Sequence, residues 1–172
     1  MTKDALGNRD ILSLDLNTLE YRTKKSAKFS TLELTKSIDN VTDRFKVLVG
    51  GKDKAGEFYR KSFAAMFAYV QNRIPEISDE LYRIDDGLRA GFGWEHGPFQ
   101  IWDAIGVAKG IEIMKAEGHQ PATWVTEMMA NGETSFYTVK NGATYYYDIP
   151  TKSQLKKPGQ DSFIILDNIR KS

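Results

Sequence analysis

Ile84-Asp85-Asp86-Gly87-Leu88-Arg89-Ala90-Gly91-Phe92-Gly93-Trp94-Glu95-His96-Gly97-Pro98-Phe99-Gln100-Ile101-Trp102-Asp103-Ala104-Ile105-Gly106 reads as two helices around a tight turn. Upstream, Ile77, Leu81, Ile84 and Leu88 recur at steps of three or four, so a helix following Ser78 carries one apolar stripe, and Gly91 stands where a left-handed C-cap residue would sit. Downstream, Pro98 suits a first helical turn because its missing N–H would have no partner there anyway. Phe99, Trp102 and Ile105 then fall on one side of that second helix. Glycines 91, 93 and 97 shape the loop between them.

Outward from this pair, helical punctuation dominates. Ser30 with Glu33 has the side chains of a capping box, predicting one long helix from Thr31 to Gly50-Gly51. Asp53 can cap the next helix, whose Tyr59, Phe63, Met66, Phe67, Val70 and Ile74 form a stripe at core spacing rather than a stacking box for a ligand. Pro75 marks a break. Val107 to Ala116 is a further short helix closed by Gly118, and Pro121 opens another that stops at Asn131-Gly132.

The period then changes. Ser135 to Lys140 and Ala143 to Asp148 are β-prone runs joined by Asn141-Gly142, the signature of a type I′ hairpin that pairs Thr138 with Tyr145 and Tyr137 with Tyr146. Ile11 to Leu16 predicts a short strand, basic Arg22 to Lys28 and polar Thr151 to Gln160 predict linkers, and Ser162-Phe163-Ile164-Ile165-Leu166 predicts a terminal strand.

The 172 residues are 41% hydrophobic and 27% charged, the profile of one folded domain. A net charge of +1 argues against a nucleic-acid partner, which demands a basic excess to neutralise phosphates. No apolar run approaches the roughly 20 residues of a bilayer span, so no membrane partner is expected. Zero cysteines remove thiolate chemistry and fit a reducing cytoplasm. With two histidines a multi-histidine metal site has little material, and no metal ligand set is expected.

Glu95-His96 is the one adjoining carboxylate and imidazole, the only opening for a small acid–base enzyme, although adjacent residues rarely project together. His119, in a turn, reads as an exposed polar residue. Asp85-Asp86 and Ser78-Asp79-Glu80 pair carboxylates, and the second pair suits a helix N-terminus. Asn72-Arg73 offers amide and guanidinium donors to a carbonyl or phosphate, or else a polar helix end. Neither G-x-G-x-x-G nor a P-loop occurs.

The motif resembles the C-terminal helical domain of 3-hydroxyacyl-CoA dehydrogenases: Ile84, Asp85, Gly91, Phe92, Gly93, Gly97, Pro98, Phe99, Asp103 and Gly106 match the family pattern, with Trp102 between them. Lys115 to Val125, Asn131 to Asp148 and Ile11 to Arg22 look like bacterial multidomain members that also carry an enoyl-CoA hydratase domain. The resemblance implies a mainly α fold, a helical bundle of the 6-phosphogluconate dehydrogenase C-terminal-like type with a C-terminal β-hairpin and short flanking strands. It implies residues 1–29 as N-terminal strand and linker, 30–132 as the helical domain in its second copy, and 133–172 as hairpin and strand leading to a missing downstream domain.

In such parents the catalytic His and Glu and the NAD site lie in a Rossmann domain, so this chain is expected to have no catalytic residue and no cofactor of its own. The resemblance carries one substrate-binding residue over, Asn72. It implies partners in the upstream Rossmann and first helical domains and the downstream hydratase, a possible homodimer of the chain, and acyl-CoA as the parent's substrate in fatty-acid β-oxidation. The alternative is an autonomous module without catalysis, binding an acyl-CoA or a partner helix through Trp94, Trp102 and Tyr145 to Tyr147.

Overall fold

A computed structural model describes residues 2–3, 9–24, 27–162 and 164–171. In chain order the elements are β1 (Thr2–Lys3), β2 (Arg9–Asp10), β3 (Leu12–Leu14), β4 (Tyr21–Thr23), α1 (Ser30–Thr35), α2 (Val41–Gly50), α3 (Lys54–Gln71), α4 (Leu81–Phe92), α5 (Pro98–Ile105), α6 (Val107–Ala116), α7 (Thr123–Ala130), β5 (Tyr137–Lys140), β6 (Ala143–Asp148), β7 (Ser153–Lys156) and α8 (Leu166–Lys171). The fold is mainly α, with small antiparallel sheets β1-β2, β3-β4 and β5-β6-β7. Among the described residues no helix is long and apolar enough to cross a membrane.

The aromatic stripe of α3 is the spine of the core. Phe63 stacks on Phe67 at 6.0 Å, Phe67 on Trp102 of α5 at 4.6 Å, and Trp102 meets the edge of Phe136 at 5.1 Å. Phe67, Trp102, Phe99 and Phe136 are fully buried, each removing a large apolar surface from water. α3 packs on α6, and α2 on both α3 and α5. Gly110 of α6 lets the Trp102 indole of α5 lie against it, because a Cβ there would overlap that ring, whose Nε1 donates to the Val107 carbonyl at 3.1 Å.

Asp53 caps α3 as its sequence position predicts, its carboxylate accepting from Gly56 N at 3.0 Å. Val107–Ala116 is the helix expected there. The hairpin has the expected register, Thr138 opposite Tyr145 and Tyr137 opposite Tyr146, with Asn141 at φ 50 and Gly142 at φ 75, the paired positive angles of a type I′ turn.

Several expectations are corrected. The single helix from Thr31 to Gly50 is two, because Asn40 turns extended and its side chain accepts from Thr42 N at 2.9 Å, starting a new helix. Ser30 does not cap α1; Phe29 occupies that position, and the Ser30 hydroxyl donates to Asp53 at 3.1 Å. The left-handed C-cap of α4 is Gly93, at φ 65, not Gly91, so the helix runs two residues further. The last core helix begins at Thr123, with Ala122 rather than Pro121 at its N-cap. Arg22 and Thr23 belong to β4, which pairs with β3, rather than to a linker. Polar Ser153–Lys156 is the third strand of the sheet, pairing with β6 from Tyr145↔Lys156 to Asp148↔Ser153. The terminal strand does not form: Ile164 and Ile165 are outside any strand, Leu166 opens α8, and Phe163 lies outside the described residues. With β7 already on the outer side of β6, and α8 packed on β5, the sheet has taken its third strand from polar chain that backbone pairing alone can hold.

Candidate functional site

The turn between α4 and α5 is organised by two acids. Asp85, only 1% exposed, projects from α4 and accepts from Phe99 N at 2.9 Å and Gln100 N at 3.1 Å. Gly97 is the N-cap of α5 and has no side chain to supply, so a carboxylate from the preceding helix serves the orphan N–H groups instead. The fit requires glycine: a Cβ on Gly97 would lie 2.5 Å from Asp85 Cα and overlap its Cβ and Cγ as well. Gln100 completes the cap, its Oε1 accepting from Gly97 N at 3.0 Å.

Asp103, on α5, accepts from Phe136 N at 2.7 Å and Tyr137 N at 2.8 Å, which holds the start of β5 against the helices. Tyr137 closes the circuit by donating its hydroxyl to Asp85 Oδ2 at 2.9 Å. Burial pushes the Asp85 carboxyl up to about 7, against the downward pull of its Phe99, Tyr137 and Gln100 donors. Burial pushes the Asp103 carboxyl up to about 7 too, against the downward pull of the Phe136 and Tyr137 N–H groups. The Tyr137 hydroxyl is held well above its ordinary range by burial and by the charge of Asp85, so it donates at any physiological pH.

Beside this junction lies a polar cleft of about 470 Å³, lined by Thr42, His96, Gln100, Asp103, Tyr137, Thr144 and Asn168 among others. His96 is half-buried, its Nε2 3.4 Å from Thr42 Oγ1 and its ring edge-on to Phe45 at 5.8 Å, while Glu95 is exposed. His119 is half-buried rather than exposed. Among the described residues no group of three His, Asp or Glu could hold a metal ion.

The remaining motif residues divide by exposure. Pro98, Phe99 and Trp102 are buried, and Gly106, at φ 98, turns α5 into α6. Gly91, Phe92 and Gly93 lie exposed at the end of α4. Asn72 is exposed at the C-cap of α3, its amide donating to the Ala68 carbonyl at 2.8 Å. The aromatic set of the module reading is dispersed: Trp102, Tyr146 and Tyr147 are core, leaving Tyr145 half-buried and Trp94 at 42% exposure.

Sequence reasoning missed Tyr137 as the link between the two acids, since nothing local joins positions 85 and 137. It also missed Gln71, buried at the end of α3, whose Nε2 donates to the Gln120 carbonyl and whose Oε1 accepts from Ala122 N, each at 2.8 Å. A polar residue ending an otherwise apolar helical stripe was the one available signal.

Comparison with known proteins bears on what this junction belongs to. Over 140 residues, 81% of the chain, it is 34% identical to a Bacillus subtilis protein named as a probable 3-hydroxyacyl-CoA dehydrogenase. The chain is homologous to 3-hydroxyacyl-CoA dehydrogenases. Shorter matches join it to fatty acid oxidation complex trifunctional enzymes of Rickettsia felis, 26% identical over 46 residues, and Rickettsia prowazekii, 25% identical over 59 residues. These cover 27% and 34% of the chain and 6% and 8% of the two relatives. The chain spans 18% of the length of the Bacillus 3-hydroxyacyl-CoA dehydrogenase relative. No family model matches the chain. No solved structure matches it significantly.

Proposed function

We propose that this chain is a structural, non-catalytic segment of an NAD-dependent 3-hydroxyacyl-CoA dehydrogenase of fatty-acid β-oxidation. In this reading residues 30–132 are a second helical copy, flanked by 1–29 and 133–172, which packs against the parent's catalytic domains or takes the place of a dimer partner. The parent would be cytoplasmic and would act on acyl-CoA substrates.

One observation carries the proposal: every oxygen of the two motif acids is engaged by a donor of the fold itself. Asp85 receives two α5 N–H groups and the Tyr137 hydroxyl, and Asp103 receives two β5 N–H groups. Carboxylates that accept main-chain N–H groups at the starts of α5 and β5 are occupied in joining those elements, which is the work of a structural part.

NAD does not fit the described residues as a resident cofactor. A dinucleotide cradle needs a strand running through a glycine-rich turn into a helix, as part of a parallel sheet. Every strand pairing among the described residues is antiparallel. No step of the chemistry is therefore assigned to this chain.

The test is made in the parent enzyme. Asp85→Ala should lower its melting temperature while leaving kcat and KM per folded enzyme unchanged. The isolated chain should not oxidise NADH in the presence of acetoacetyl-CoA. A loss of kcat at unchanged melting temperature, or turnover by the clean chain, overturns the proposal.

A further inference from the structure

On the face formed by α3 and α4 an apolar cavity of about 420 Å³ opens beside Trp94. Met66 and Val70 of α3 and Ile84 and Leu88 of α4 form its walls. Apart from Tyr69, Trp94 and two arginines, its lining side chains carry no hydrogen-bonding group, so a sugar or a nucleobase would lose its partners on entering. The volume lies within the range of small-molecule sites, and apolar walls with a few polar groups are their usual make-up.

The charged groups of the lining are two arginines, Arg73 and Arg83, and Arg83 is already paired through Nε with Glu80 at 2.8 Å. Arg73 stacks on the Tyr69 ring at 4.8 Å and pairs through Nη1 with Glu76 at 2.7 Å, yet its Nε is buried with no hydrogen-bond partner among the described residues. A buried guanidinium N–H without an acceptor costs free energy that an anionic ligand oxygen would recover. Gly87, in the middle of α4, adds room: nothing lies within 4 Å of where its Cβ would be.

We infer that this cavity is a binding site for a single-chain amphiphile with a carboxylate head, its apolar tail between α3 and α4 and its carboxylate on Arg73. The site lies apart from the Asp85 junction and stands independently of the role proposed for the chain.

Gly87→Leu fills the cavity from a position with open space, and it replaces a helical glycine with a better helix former, so folding is preserved. Calorimetric titration of the chain with decanoate at neutral pH should give saturable binding. Gly87→Leu should abolish it at an equal or higher melting temperature. Arg73→Gln should weaken decanoate about tenfold and leave uncharged decanol unaffected. Absence of saturable decanoate binding, unchanged binding by Gly87→Leu, or equal weakening of decanoate and decanol by Arg73→Gln overturns the inference.

Discussion

Asp53 and Asp85 perform the same task in opposite electrostatic settings. Each accepts from the first N–H groups of a helix and also fastens a segment distant in sequence: Asp53 takes Gly56 N of its own helix and Thr31 N and Oγ1 at 2.9 and 2.7 Å, and Asp85 takes Phe99 N, Gln100 N and the Tyr137 hydroxyl. At Asp53, on the wet side of the α1–α3 contact, hydrogen bonds from Thr31 and Gly56 hold the carboxyl far below its ordinary range. At Asp85 the same kind of donors are outweighed by burial, and the carboxyl rises to about 7. The sign of a pKa shift therefore follows whether water is present, not how many donors surround the acid.

The largest break in this comparison should come from Asp85→Ala, which leaves two N–H groups and a hydroxyl buried without an acceptor. A loss of about 3 kcal/mol in a denaturant titration is expected. Gly97→Ala should follow, costing about 2 kcal/mol, because the new methyl group presses on the α4 backbone at Asp85. Asp53→Ala should lower the melting temperature by less than Asp85→Ala, since water can replace its carboxylate at the helix end. Tyr137→Phe should cost about 1 kcal/mol, the worth of one hydrogen bond to a carboxylate that keeps its other donors.

The finest test is the pH dependence, where the two acids act in opposite directions. A folded-state pKa raised to about 7 means that the native chain binds more protons than the unfolded one between roughly pH 4 and 7, so stability falls as pH rises through that window. Asp85→Asn should flatten this limb of the melting-temperature profile. Asp53, whose pKa is lowered, contributes stability that is present above its unfolded value and lost as pH falls below it. Asp53→Asn should therefore lower the profile evenly above about pH 4 and change its slope only in the acid limb below that. Coincident profiles for the two variants would dissolve the comparison.

Local signals were legible where a residue acts within one turn of itself. Asp53 at the start of α3, Pro98 at the start of α5 and Asn141-Gly142 in the hairpin each do what their position predicts, because capping, a fixed φ and a positive φ are properties of a few consecutive residues. Elements whose identity depends on neighbours were misread. Ser153–Lys156 is too polar to announce a strand, and it becomes one because the β6 edge offers unpaired backbone groups. Ile164 and Ile165 are apolar enough to suggest a strand, but with that edge taken they lead into α8. The candidate site divides in the same way: Asp85, Gly97 and Asp103 stand in one motif, while Tyr137, which ties the two acids together, lies 52 residues from Asp85.

The sequence by itself determined the helical character, the hairpin and its register, and the resemblance to 3-hydroxyacyl-CoA dehydrogenases, through periodicity, turn chemistry and a motif. Only the tertiary structure decided that the motif acids are bound up in the fold, that Trp102 is core while Trp94 edges a cavity, and that Asp53 and Asp85 titrate in opposite directions. Those outcomes depend on water access and on partners tens of residues away, quantities that come into being when the chain packs.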